Sequence, residues 1–297
     1  MGDRALNAGL IAKYADLQHV IIADYNTQFQ CARATWLTTL KDPLSLEALF
    51  GVNAPQLLFL YAVVIAASVL RSFTGFGFAL AAVPGFSWVL APTDAVVLSA
   101  GLALAISFMG LGTYWGLVSF KSMRPMLLMS VLGTVIGASL LSFISVKLFQ
   151  LLIAVSIFVA CTALTQVKAS QPFRCPTLGW IAGLSSGLMN GALAIPGPPV
   201  IVFALLTQPD PARSRALLMT FFMLSALVAL CTFTVSGFVR LPTIYLFLAV
   251  LPVLYLSNKV GYVLFSRYSG LFYRRIAMLA LLAMGASILV RVVWFSH

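Results

Sequence analysis

Two short stretches gather glycine, proline and small polar side chains inside otherwise apolar sequence: RSFTGFGFALAAVPG at 71–85 and SSGLMNGALAIPGPP at 185–199. Glycine permits backbone conformations and close approaches that other residues resist, and proline removes a hydrogen-bond donor. A helix that restarts after such an interruption aims unpaired N–H groups, with a partial positive charge, at whatever fills the gap. That is a way to hold an anion. Ser72, Thr74, Ser185, Ser186 and Asn190 can add hydrogen bonds beside the two stretches, and Arg71 could fork onto a carboxylate or sulfonate. The candidate substrate-binding set is therefore Arg71, Ser72, Thr74, Gly75, Gly77, Ser186, Asn190, Gly191, Gly197 and Pro198. Two plainer readings stand beside it. Glycine and proline also pack and kink membrane helices without any ligand, and Arg71 at an interface would be an anchor on the positively charged side.

The elements that must position these residues are membrane helices. Of 297 residues 61% are hydrophobic and only 8% charged, with a mean hydropathy of +1.03, whereas soluble domains carry about 25% charged residues. Hydrophobic segments fall at about 55–71, 75–91, 94–117, 125–144, 147–166, 177–190, 195–208, 213–237, 242–265 and 272–294. Most have the roughly 20 residues needed to cross about 30 Å of hydrocarbon, and strand-type alternation is missing. The expected fold is all-α and polytopic. The segments around the two Gly/Pro stretches are short, which suggests broken or re-entrant helices. Residues 1–52 are too polar to span, but Leu6, Leu10, Tyr14, Leu17 and Ile21 recur at helical spacing, as in an amphipathic surface helix.

Internal similarity divides the remainder. APTDAVVLSA follows the first Gly-rich stretch and QPDPARSRAL the second, setting Pro92 and Asp94 against Pro209 and Asp210, while Gly137 and Ser145 align with Gly261 and Ser269. Two five-segment repeats, 53–170 and 171–297, follow from this, and an odd segment count makes them inverted. Loops after odd-numbered segments hold ten basic residues, including Lys121, Arg124, Arg213 and Arg215. Positive loops face the cytoplasm, so both termini are expected outside it.

Absences narrow the chemistry. Asp94 and Asp210 are the only acidic residues after position 47, and both follow prolines at helix starts, where capping and the helix dipole explain them. Coupling through a buried carboxylate is thereby disfavoured. Four scattered cysteines and two histidines offer no metal-ligand spacing, and no nucleotide loop or HExxH pattern occurs. No metal, cofactor or enzymatic activity is expected. The basic excess belongs to membrane topology and not to nucleic acid.

At this point the chain resembles the TauE/SafE family of sulfite and sulfonate exporters, also called the toluene-sulfonate uptake permease family. SFTGFGFALAAVP (72–84) looks like its first Gly-rich signature and GALAIPGPPVIVFALL (191–206) like its second, with RSRALLMTFF (213–222) and the 252–285 stretch also similar. The likeness runs over roughly 55–297. Ala194, Ile195 and Pro196 stand where members commonly have glycines, and Ser225-Ala226 where an asparagine is frequent. The resemblance implies transport of a small organosulfur or related organic anion across a bacterial inner membrane. A channel-like pore for such anions, and a membrane scaffold without transport, are the alternatives. Expected partners are the anion and the lipid bilayer, with a homodimer left open.

Overall fold

The computed structural model describes residues 46–74, 77–118, 120–166, 176–208 and 210–267. The amphipathic pattern at 6–21 and the tenth segment, 272–294, lie outside them. The chain divides into two compact units, Met1–Gly51 and Val52–His297. In the first, the described part is one short helix, Leu46–Phe50.

In the second unit, every described regular element is a helix: α1 (Ala54–Thr74), α2 (Phe78–Phe86), α3 (Pro92–Met109), α4 (Phe120–Leu141), α5 (Val146–Gln166), α6 (Pro176–Leu193), α7 (Gly197–Thr207), α8 (Pro211–Val235) and α9 (Leu241–Arg267). A backbone in hydrocarbon must satisfy its own polar groups, and helices do so within one segment. Among the described residues, α1, α3, α4, α8 and α9 are long and apolar enough to cross a membrane. This is a multi-pass membrane protein. Large apolar side chains face outward where lipid would lie, Leu132, Val135 and Ile136 of α4 among them.

Two elements depart from the expected segments. The segment at 75–91 folds as only nine helical residues, α2, because Gly77 bends the chain at φ 93° before it. The segment at 94–117 ends as a helix at Met109 and continues as a 3-10 turn, Leu111–Thr113, where Gly110 and Gly112 weaken helix propagation.

The closest helix pair is α4 with α6. Gly133 and Gly137 of α4 face Gly183, Gly187 and Gly191 of α6, and a Cβ on Gly133 would stand 2.5 Å from the Leu184 carbonyl oxygen. Such stripes of small residues let membrane helices approach where no hydrophobic drive exists between them. Helix α9 lies against α1 with Gly261 over Ser72, and α3 lies against α8. The short α7 sits within a core formed by Met123 and Met126 of α4, its own Val200, Ile201 and Ala204, and Leu217, Leu218 and Phe221 of α8.

Helix starts follow the capping rules unequally. Asp210 caps α8, its Oδ1 accepting from the Ala212 N–H at 3.1 Å. Asp94 does not cap α3; its Oδ1 accepts from the Thr243 hydroxyl of α9 at 2.8 Å and so ties two helices together.

Candidate functional site

Both interruptions open onto one cavity. At the first, α1 ends at Thr74 and α2 starts after Gly77, whose left-handed backbone (φ 93°, ψ 2°) is cheap only for glycine. At the second, α6 ends at Leu193, Ala194 takes φ 54°, and α7 starts at Gly197 after Ile195 and Pro196. Between them lies a space of about 30 Å³, lined by Arg71 and Gly77–Leu80 from one side and by Asn190 and Ala194–Gly197 from the other. Ala100 and Ala103 of α3 and Phe222 and Ala226 of α8 complete the wall. Such a volume suits a water or a very small solute.

The first interruption supplies donors and charge. No side chain caps α2, and the N–H groups of Phe78, Ala79 and Leu80 have no hydrogen-bond partner among the described residues. Helix geometry requires such orphan donors to find a partner elsewhere. Arg71 is 4% exposed. It donates through Nη2 to the Ser107 hydroxyl at 2.7 Å and through Nη1 to the Ala103 carbonyl at 3.3 Å. Ser107 is itself held, since its carbonyl accepts from the Tyr114 hydroxyl at 2.9 Å. Both acceptors of Arg71 are neutral, and among the described residues no carboxylate pairs with it. A buried cation without a counter-ion is costly. An anion in the adjoining cavity would offset that cost.

The second interruption is built differently. Pro198 and Pro199 occupy the second and third positions of α7 and carry no N–H, so Gly197 alone among the first three residues can donate. Ser186, fully buried, donates its hydroxyl to the Pro196 carbonyl at 2.6 Å and fastens the connection back onto α6. Asn190 lines the cavity while its Nδ2 donates to the Ser225 carbonyl at 2.9 Å and to the Thr134 hydroxyl at 3.4 Å.

The sequence-predicted residues therefore part company. Arg71, Gly77, Asn190 and Gly197 meet at the cavity. Ser72 lies beside it, donating to the Ser68 carbonyl and to Asn258 Oδ1 of α9, and its own carbonyl accepts from Arg215 at 3.2 Å. Ser186 braces the second interruption, and Gly191 packs against the Thr134 backbone in the α4–α6 seam, where a Cβ has no room. Pro198 is buried in the first turn of α7. Gly75 and the side chain of Thr74 are outside the described residues. Ala100, Ala103 and Phe222 had no signal in sequence, since alanine and phenylalanine fill any apolar helix; Ser225-Ala226 had one, as a departure from the family pattern.

The sequence profile described as Sulfite exporter TauE/SafE matches residues 60–288. The chain belongs to the sulfite exporter TauE/SafE family. The match takes in both interruptions and α1 to α9 almost entirely. No curated protein and no solved structure matches the chain significantly. TauE/SafE proteins are membrane transporters, which agrees with the spans found here.

Proposed function

We propose that the chain is a secondary transporter that exports small organosulfur or related organic anions, sulfite and short sulfonates among them, across a bacterial inner membrane. The observation that carries this reading is the meeting of two helix interruptions, about 120 residues apart in sequence, at one cavity beside a buried arginine that has no counter-ion among the described residues. The anion sits there, held by Arg71, by the amides at the start of α2 and by Gly197, with Asn190 in the wall beside it. Ser72, Ser186 and Gly191 act one layer out, through the helix contacts they make.

Two inverted repeats organise the motion. Contacts between the halves support this reading, because α1 lies on α9 as α6 lies on α4, and α3 lies on α9 as α8 lies on α4. Gly137 and Gly261, aligned by sequence, each press on the helix that precedes an interruption. In this topology both termini lie outside the cytoplasm, and access to the cavity alternates as one repeat-derived bundle moves against the other. Export needs no carboxylate coupling, since a negative-inside potential drives an anion outward by about 2.3 kcal/mol per charge per 100 mV.

The test is flux in proteoliposomes with sulfite, thiosulfate, short sulfonates and size-matched carboxylates, with and without an imposed voltage. Saturable, voltage-sensitive flux of the sulfur oxyanions is expected. Flux that does not saturate would indicate a pore, and no flux of any member would remove the transport reading.

A further inference from the structure

A second and far larger cavity, about 430 Å³, lies between α3, α8 and α9 on a different face of α3 from the small cavity. Its wall is almost wholly apolar: Leu104 and Phe108 of α3, Leu230 of α8, and Ile244 and Phe247 of α9. Gly101 keeps it deep, because a Cβ there would come within 3.2 Å of the Phe247 ring. No small polar solute gains from such a surface, and with Phe108 and Ile244 of its wall exposed the space is an open groove.

Length and charge identify the occupant. Along α3 the lining runs from Val97 to Phe108, which at 1.5 Å per residue is roughly 16 Å, about half the hydrocarbon core and so the acyl depth of one leaflet. At one end, between the lining residues Val239 and Thr243, stands Arg240, exposed and without an ion pair among the described residues. Asp94 at the same end is engaged by the Thr243 hydroxyl. We infer that this groove binds one membrane phospholipid, with an acyl chain along α3 and an anionic headgroup phosphate at Arg240. Since the opposite face of α3 carries Ala100 and Ala103 into the small cavity, a single helix separates the lipid from it.

The inference is tested on the full chain in vesicles of phosphatidylethanolamine and phosphatidylglycerol doped with a phosphatidylglycerol bearing a diazirine on its acyl chain. After photolysis, peptide mass spectrometry should find label enriched at Leu104, Phe108 and Phe247 over the lipid-exposed Leu132, Val135 and Ile136 of α4. Ala105→Trp, which fills the groove, should abolish groove label while α4 label persists as the sign of folded protein. Arg240→Gln, an exposed change, should lower groove label about fivefold, the contribution of one basic residue toward an anionic lipid. Equal labelling of groove and α4, or groove label indifferent to either substitution, overturns the inference. So does a groove shielded from label, as a second copy seated there would leave it.

Discussion

Where α2 begins, Phe78, Ala79 and Leu80 present backbone N–H groups that nothing in the described protein accepts, with the Arg71 guanidinium beside them. Where α7 begins, prolines at its second and third positions remove two of that turn's N–H groups, and Ser186 and Asn190 spend their hydrogen bonds on acceptors of the protein. One interruption is furnished to bind and the other to hold still. A site between moving parts needs both: donors free for a solute and a wall that does not relax into the gap when it leaves.

The largest effect should come from the helix that carries the wall. Gly187→Leu would place a side chain against the Ser130 backbone, where no rotamer change gives relief. Ordinary overpacking costs about 1–3 kcal/mol, and a clash with main chain exceeds that. Loss of monodisperse protein on size exclusion is expected; a well-behaved Gly187→Leu protein would show that the α4–α6 seam does not fix the second interruption.

Next is the binding side. Arg71→Gln keeps hydrogen-bond capacity but removes the charge, and a charged hydrogen bond is worth about 1.5–3 kcal/mol. Anion affinity, read from the concentration dependence of flux, should fall by about tenfold to a hundredfold. Arg71→Lys should recover only part, because an ammonium cannot reproduce the fork that reaches Ala103 and Ser107. An unchanged affinity in Arg71→Gln would leave the donors of the first interruption without their main partner.

Much of this was legible in residues alone, for physical reasons that can be named. Twenty-residue apolar runs announce spans because hydrocarbon thickness sets their length. Gly77 announced an interruption because few other residues tolerate its left-handed backbone, and the prolines around Gly197 announced the other because they cannot continue a helix. Function within each stretch was less legible. Ser186 and Asn190 look alike in sequence, small donors one turn apart, and only packing decides that one faces a proline carbonyl and the other a cavity. Gly191 looked like a ligand-facing amide, whereas it belongs to a stripe with Gly183 and Gly187 whose meaning depends on α4 lying opposite. Arg71 was equally an interfacial anchor or an interior cation until Ser107 was found holding it.

Smaller effects separate bracing from binding at the second interruption. Ser186→Ala removes the hydroxyl that satisfies the Pro196 carbonyl, and one buried hydrogen bond contributes about 1 kcal/mol. A lowered thermal midpoint with affinity nearly unchanged is the expected pattern. The reverse pattern would move Ser186 from the brace to the site itself.

Ala194→Gly should act in the opposite direction. Ala194 has φ 54°, in a region where a Cβ crowds the following carbonyl, and it closes α6 with its N–H on the Asn190 carbonyl at 2.8 Å and that of Ile195 on Met189 at 3.4 Å. Relief of the left-handed strain is worth about 1–2 kcal/mol, less what glycine loses in the unfolded chain, about 0.4–1 kcal/mol. The net is a small stabilisation, measurable as a raised thermal midpoint. The same residue lines the cavity, so losing its methyl also widens the space by one carbon at the wall opposite the α2 donors. If the wall sets the size of the solute, Ala194→Gly should shift preference toward the larger sulfonates in a competition flux experiment. A more stable protein with unaltered preference would mean that the second interruption holds the cavity open without measuring what enters it.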